Sequence, residues 1–212
     1  SMFFDADVVK KITSSKEKLR SGYGETRNAA IIFTDMRGFT KASENLSAEE
    51  LISLLGEYQK LLVPIIQNHR GSIDKFMGDG ILASFGAVEK SNSYAKDALD
   101  AIDDMNQAFD KWNAEREKKG KQQIGLGIGM AVGEVVFGVI GDDKRMEYTV
   151  IGEAVNLAAK LEKHNKAEKV KSLTTKQAYE IAKEQGYKTE KEIRKSKAVD
   201  GLNKKIDLVV LK

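Results

Sequence analysis

Two aspartates stand where short apolar runs break into glycine-bearing turns. Asp35 closes the run Ala30-Ile31-Ile32-Phe33-Thr34 and is followed at once by Met36-Arg37-Gly38-Phe39-Thr40, while Asp79 sits within Gly78-Asp79-Gly80. A carboxylate at the end of a buried strand, beside a turn that exposes main-chain amides, suits a hard cation and the phosphates it carries. Each aspartate alone has a commoner job: Asp35 capping the next element, Asp79 serving the tight turn that Asp-Gly favours. On adjacent strand ends, however, two carboxylates can ligate a pair of Mg²⁺ ions that keep places open for substrate phosphates.

The surrounding pattern supplies elements able to hold them. Residues 29–34 read as a strand, and residues 72–77 and 81–85 as a hairpin about the second acid. Ser47 and Glu50 form a capping box before Leu51, Leu54, Leu55, Tyr58, Leu61, Leu62 and Ile65, whose spacing predicts a long helix to about His69. Pro64 is expected to bend that helix and Gly71 to stop it. A second long helix is marked by apolar residues from Ala95 to Trp112 and is expected to end in the charged run before Gly120.

Residues 123–132 alternate apolar side chains with Gly125, Gly127 and Gly129, a strand with one bare face against which something packs closely. Gly133-Glu134 is expected to turn into another strand at 135–140, and Gly141-Asp142-Asp143 into one at 148–151. A helix over 154–164, a strand at 170–173, a helix at 175–184 and strands near 187–193 and 206–211 complete the reading. The order predicts an α+β fold: an α/β sandwich, its mixed sheet covered by helices mostly on one face. Residues 3–19 are expected to form a short helix docked at the domain edge.

Composition narrows the classes. The 212 residues are 41% hydrophobic and 32% charged, as in a soluble globular domain with one substantial core. Net charge is +3, which gives no strong footprint for nucleic acid. The absence of cysteine excludes disulfides, thiolate metal sites and a cysteine nucleophile. No apolar run approaches the roughly 20 residues that span a bilayer, and no G-x-G-x-x-G leads into a helix. Ser1-Met2 reads as a remnant of recombinant expression, with an upstream sensor or membrane domain removed from a larger parent and the domain facing the cytosol.

Three blocks, in order, carry a resemblance. Phe-Thr-Asp-Met-Arg-Gly-Phe-Thr at 33–40, Lys-Phe-Met-Gly-Asp-Gly at 75–80 and Tyr-Thr-Val-Ile-Gly-Glu-Ala-Val-Asn-Leu-Ala-Ala-Lys-Leu at 148–161 resemble the class III nucleotidyl cyclase catalytic domain. The likeness divides the chain into a lead-in at 1–27 and a catalytic domain at 28–212. It implies a ferredoxin-like sandwich, mostly antiparallel, acting as a homodimer with sites at the subunit interface. The implied reaction converts ATP to 3′,5′-cyclic AMP and pyrophosphate with two Mg²⁺ or Mn²⁺ ions per site.

The same likeness distributes roles. Asp35, Met36 and Asp79 would hold the metals, and main-chain amides at Gly38, Phe39 and Thr40 the phosphates. Lys75 and Thr149 would read the base: a donor-only lysine faces adenine N1 and a hydroxyl accepts from the 6-amino group, whereas guanine would leave groups mispaired at roughly 1–3 kcal/mol each. Lysine with threonine resembles the subgroup described as bicarbonate-responsive. Asn156 and Lys160, four apart and hence on one helical face, would orient the ribose and meet α-phosphate charge.

Two positions depart from the family pattern. Arginine is usual where this chain has Lys160, and a flexible point charge is not a planar fork. Asp200 precedes Gly201 where a lysine is common, leaving Arg145 as the preferred substitute toward the triphosphate, with Lys144 and Lys204 also considered. These departures motivate an alternative: a catalytically weak cyclase-like module that binds nucleotide and dimerises. A diguanylate cyclase is disfavoured because Phe76-Met77-Gly78-Asp79-Gly80 lacks the G-G-D/E-E-F turn.

Overall fold

In the computed structural model, residues 22–142 and 146–212 are described. One mixed sheet forms the frame. Its strands are β1 (Gly24–Arg37), β2 (Gly71–Met77), β3 (Gly80–Phe85), β4 (Gly125–Gly141), β5 (Met146–Ile151), β6 (Ser172–Thr175), β7 (Glu192–Lys197) and β8 (Ile206–Val210). The spatial order is β2-β3-β1-β4-β6-β8-β7, with β5 also pairing to β4. Only the β4–β6 pairing is parallel. The α+β sandwich expected from the element order is therefore the architecture found.

The helices are α1 (Phe39–Ser43), α2 (Ala48–Asn68), α3 (Tyr94–Lys118), α4 (Glu153–Glu168) and α5 (Lys176–Glu184). Alternation along β1 sorts the core into two layers. Ala30 and Ile32 face the layer that holds Tyr58 and Leu62 of α2, Ile102 and Phe109 of α3 and Tyr179 of α5. Ala29 and Ile31 face the layer that holds Ala154, Ala158 and Leu161 of α4. Among the described residues no helix is long and apolar enough to cross a membrane.

The glycines of β4 explain their own spacing. A Cβ at Gly129 would lie 2.1 Å from the Ala158 carbonyl and 2.4 Å from the Glu162 amide, so α4 rests its backbone directly on the strand. At Gly127 the added carbon would meet Glu162 Oε1 at 2.5 Å, and at Gly125 the Arg37 side chain at 2.8 Å. The bare face therefore receives a helix.

Several expectations need correction. Gly133-Glu134 does not turn: β4 is a single strand of 17 residues, because the 14 residues of β1 pair along it without a break. Helix α2 ends at Asn68, and Arg70 rather than Gly71 takes the left-handed backbone conformation at φ 68°. Gly71 instead opens β2, where a side chain would collide with Ile66 and Phe85. The two-residue loop of the β2–β3 hairpin is Gly78-Asp79, since Met77 pairs with Gly80. The last hairpin begins later than expected, at Glu192. Residues 3–19 lie outside the described region.

The predicted capping box is present, with Glu50 N–H donating to Ser47 Oγ at 3.1 Å and Ser47 N–H to Glu50 Oε2 at 2.8 Å. Trp112 is partly buried on the core, tilted against Phe109 with the Arg116 guanidinium 4.9 Å above it.

Candidate active site

The sheet brings the two aspartates together. Thr34 of β1 pairs with Ile81 of β3, so Asp35 at the end of β1 adjoins the turn that carries Asp79. Burial pushes the Asp35 carboxyl up to about 8, and a hydrogen bond to Asp79 together with the repulsion of its charge adds to the effect. Two anions so placed repel each other, which is part of what raises Asp35. Beneath them the Thr34 and Tyr58 hydroxyls lie 2.5 Å apart in full burial and fix the strand against α2.

A third acid completes the electrostatics. Glu162 of α4 is buried, its carboxyl raised first by burial and eased by the Arg37 guanidinium, and its charge acts on both Asp35 and Asp79. Arg37 donates from Nη2 to the Val170 carbonyl at 2.6 Å, tying the end of β1 to the segment that follows α4. Neither Glu162 nor Arg37 was singled out from sequence. The readable signal was phase, since Glu162 falls inward with Ala158, Leu161 and Asn165.

Immediately beyond Asp35 the chain passes through Gly38 at φ 74°, a left-handed conformation that strains other residues, and enters α1. The first bond of this turn runs from the Ala42 amide to the Gly38 carbonyl at 2.8 Å. The Phe39 and Thr40 amides therefore have no partner within the helix. Met36 buries its side chain in the core, so only its main chain borders the acids.

The other predicted residues lie on β2, β5 and α4. Lys75 is exposed on β2, and Thr149 on β5, a strand in contact with β2, pairs with Gly138 of β4. Exposed Asn156 and half-buried Lys160 lie on α4. At about 100° per residue they stand roughly 120° and 160° round the helix from Glu162. They thus face away from the acids of their own chain. Lys160 Nζ donates to the Gly201 carbonyl at 3.1 Å, and a Cβ at Gly201 would lie 2.9 Å from Lys160 Cε. Arg145 and Lys144 lie outside the described residues, and Lys204 is exposed. His69 caps the end of α2 and contacts Asp104 at 2.6 Å, while His164 lies 3.7 Å from Glu168 near the end of α4.

Comparison with known proteins identifies the family. The family model for the adenylate and guanylate cyclase catalytic domain matches residues 23–212. An adenylate cyclase of Anabaena cylindrica is 39% identical over 150 residues, 69% of this chain and 29% of that protein. The chain thus spans under a third of that relative's length. The solved guanylyl cyclase Cya2 is 32% identical, with a TM-score of 0.77 over 88% of this chain and 92% of the other. The adenylyl cyclase CyaB of P. aeruginosa is 28% identical, with a TM-score of 0.75 over 89% and 95%. The chain, with Asp35 near the end of β1 and Asp79 in the adjoining hairpin turn, belongs to the adenylate and guanylate cyclase catalytic domain family.

Proposed function

We propose that this domain cyclises ATP to 3′,5′-cyclic AMP, releasing pyrophosphate, at sites shared between two copies of the chain. The observation that carries this reading is the Asp35–Asp79 pair, brought together by the pairing of β1 with β3 and the β2–β3 turn, beside amides that α1 leaves without a partner. A divalent cation held by Asp35 and Asp79 would offset the repulsion between them. Among the described residues no cluster of three or more acids, histidines or cysteines stands ready as a metal cage. Two carboxylates with the Met36 carbonyl leave coordination places for water and triphosphate, the manner in which Mg²⁺ is usually bound. Two Mg²⁺ or Mn²⁺ ions would supply neutralisation of the triphosphate and a lowered pKa at the ribose 3′-hydroxyl.

The chain's own groups account for the remaining work. The Phe39 and Thr40 amides receive phosphate oxygens. Lys75 donates to adenine N1 and Thr149 accepts from the 6-amino group, which selects ATP over GTP. Asn156 holds the ribose while its 3′-oxygen bonds to the α-phosphorus, the bond to the pyrophosphate oxygen breaks, and the hydroxyl proton departs to solvent. Lys160 offsets charge on the α-phosphoryl group.

A single chain turns its acids and its Asn156–Lys160 pair to different sides, which supports a composite site with a two-fold related copy. Surface character supports it too. Val136 and Ile151 are cross-strand neighbours, Ile140 follows on the same face, and all three are about half exposed. Such a patch marks a protein contact. The parent protein is proposed to present this domain to the cytosol under an upstream sensor.

A second reading, a weakly active nucleotide-binding module, is favoured by the bond that engages Lys160 with Gly201 and by Asp200 beside it. The deciding assay supplies purified protein with ATP and Mn²⁺ and follows cyclic AMP. Product well above an Asp35→Ala control, and little from GTP, is expected. Product no higher than that control would sink the enzyme.

A further inference from the structure

The pairing of β2 with β3 slips by one residue between Ile73 and Lys75, leaving Asp74 as the extra residue of a bulge. On a regular strand, neighbours such as Asp74 and Lys75 point to opposite faces. A bulge bends the strand and re-aims a side chain. Here it brings Asp74 Oδ2 to 3.9 Å from Lys75 Nζ. The two side chains differ sharply in surroundings: Lys75 keeps 50% of its surface exposed and Asp74 only 6%. Asp74 Oδ2 is buried and accepts no hydrogen bond among the described residues. The charge acting on this carboxylate is that of Lys75, which partly offsets a burial that pushes it up to about 6.

A buried carboxylate with an unused oxygen is a cost to the fold. The proteins that retain such groups commonly do so at functional sites. We infer that Asp74 is a positioning residue for base recognition: its carboxylate, re-aimed by the β2 bulge, restrains the Lys75 ammonium so that its donors meet the acceptor face of adenine. This rests on the reading of Lys75 as the base-contacting lysine. A lysine is a flexible point charge on a four-carbon stem. A fixed anion at the root of that stem narrows the arc its ammonium sweeps, and so favours a base that presents an acceptor at one place. Asp74 itself touches neither phosphate nor ribose in this assignment.

The test uses the whole chain and four proteins: wild type, Asp74→Asn, Asp74→Val and Lys75→Ala. KM and kcat for ATP and GTP are measured, with equilibrium binding of 3′-deoxy-ATP, which cannot cyclise. Restraint of the base acts equally before and during the chemistry, so both Asp74 variants should raise the ATP KM about fivefold with kcat within about twofold. Binding of 3′-deoxy-ATP should weaken by the same factor, and the preference for ATP over GTP should fall. Both variants should also melt at a higher temperature than wild type at neutral pH, since a buried charge has been removed; that separates a positioning role from a structural one. Unchanged KM and preference in both variants, while Lys75→Ala raises the ATP KM, would overturn the role of Asp74 and leave the base reading intact. A change in Asp74→Val alone would assign the residue to packing and equally overturn it. No effect of Lys75→Ala would overturn the base reading itself.

Discussion

The two ends of the proposed site are built differently. The acidic end is made by the sheet: Asp35 and Asp79 are fixed by continuous pairing of β1 with β3 and β4, backed by the Thr34–Tyr58 contact and closed from behind by Glu162. The phosphate end hangs from one outward face of α4, where Asn156 is exposed and Lys160 leans on a loop carbonyl. Rigid placement would suit groups proposed to hold a cation between opposed charges. A looser placement would suit groups proposed to close on substrate from another chain. The difference also locates tolerance: the sheet end should fail outright when altered, and the helix end by degrees.

The contrast is broken most severely by separating the two ends onto different chains. Asp35→Ala should reduce cyclase activity by about 10³-fold or more, and Asn156→Ala by about 10²-fold. Mixed in equal amounts and allowed to exchange, they should recover about a quarter of wild-type activity. Random pairing makes half the dimers mixed, and each mixed dimer holds one intact site of two. Mixtures no more active than their components would exclude a composite site. At the helix end, Lys160→Arg should raise kcat about tenfold, because a planar fork can hold two phosphate oxygens and also leave Gly201. An unchanged rate would show that lysine suffices there.

Smaller effects probe the frame. Gly129→Ala places a methyl against the Ala158 carbonyl and Glu162 amide, both main chain. It should cost about 2–3 kcal/mol in urea denaturation. The gentlest test is pH. A carboxyl raised in the folded state contributes stability that is full below its ordinary value of 3.8 and is lost as pH rises through about 8. Cation-free protein should therefore melt progressively lower across about pH 5–9, Asp35→Asn should flatten that slope, and Mg²⁺ should restore most at the alkaline end.

Much of this was legible in the residues. Helical spacing exposed α2 and α3, the capping box marked the start of α2, and the glycines of β4 announced a close neighbour. The three motif blocks located both acids. What resisted reading was set by pairing at a distance. Gly133-Glu134 has the local look of a turn, yet β1 holds it extended. The bulge at Asp74 exists only against β3, and neither residue type nor periodicity signals it. Glu162 was hidden for a different reason: an acid within a lysine-rich helix looks like solvent-facing charge until its phase is set against the sheet.

The glycine face of β4 has a mechanical meaning as well. Where side chains interlock, a helix is held along its length by ridges that must be climbed before it can shift. At Gly127 and Gly129 the strand offers α4 a smooth track. What stops the helix from sliding is then a small set of polar pins: Asn165 Nδ2 on the Ile128 carbonyl at 2.9 Å and Arg37 Nη2 on the Val170 carbonyl at 2.6 Å. A track with pins resists load until a pin lets go, then moves in a step. The helix that carries Asn156 and Lys160 is mounted as a part with detents rather than as a weld.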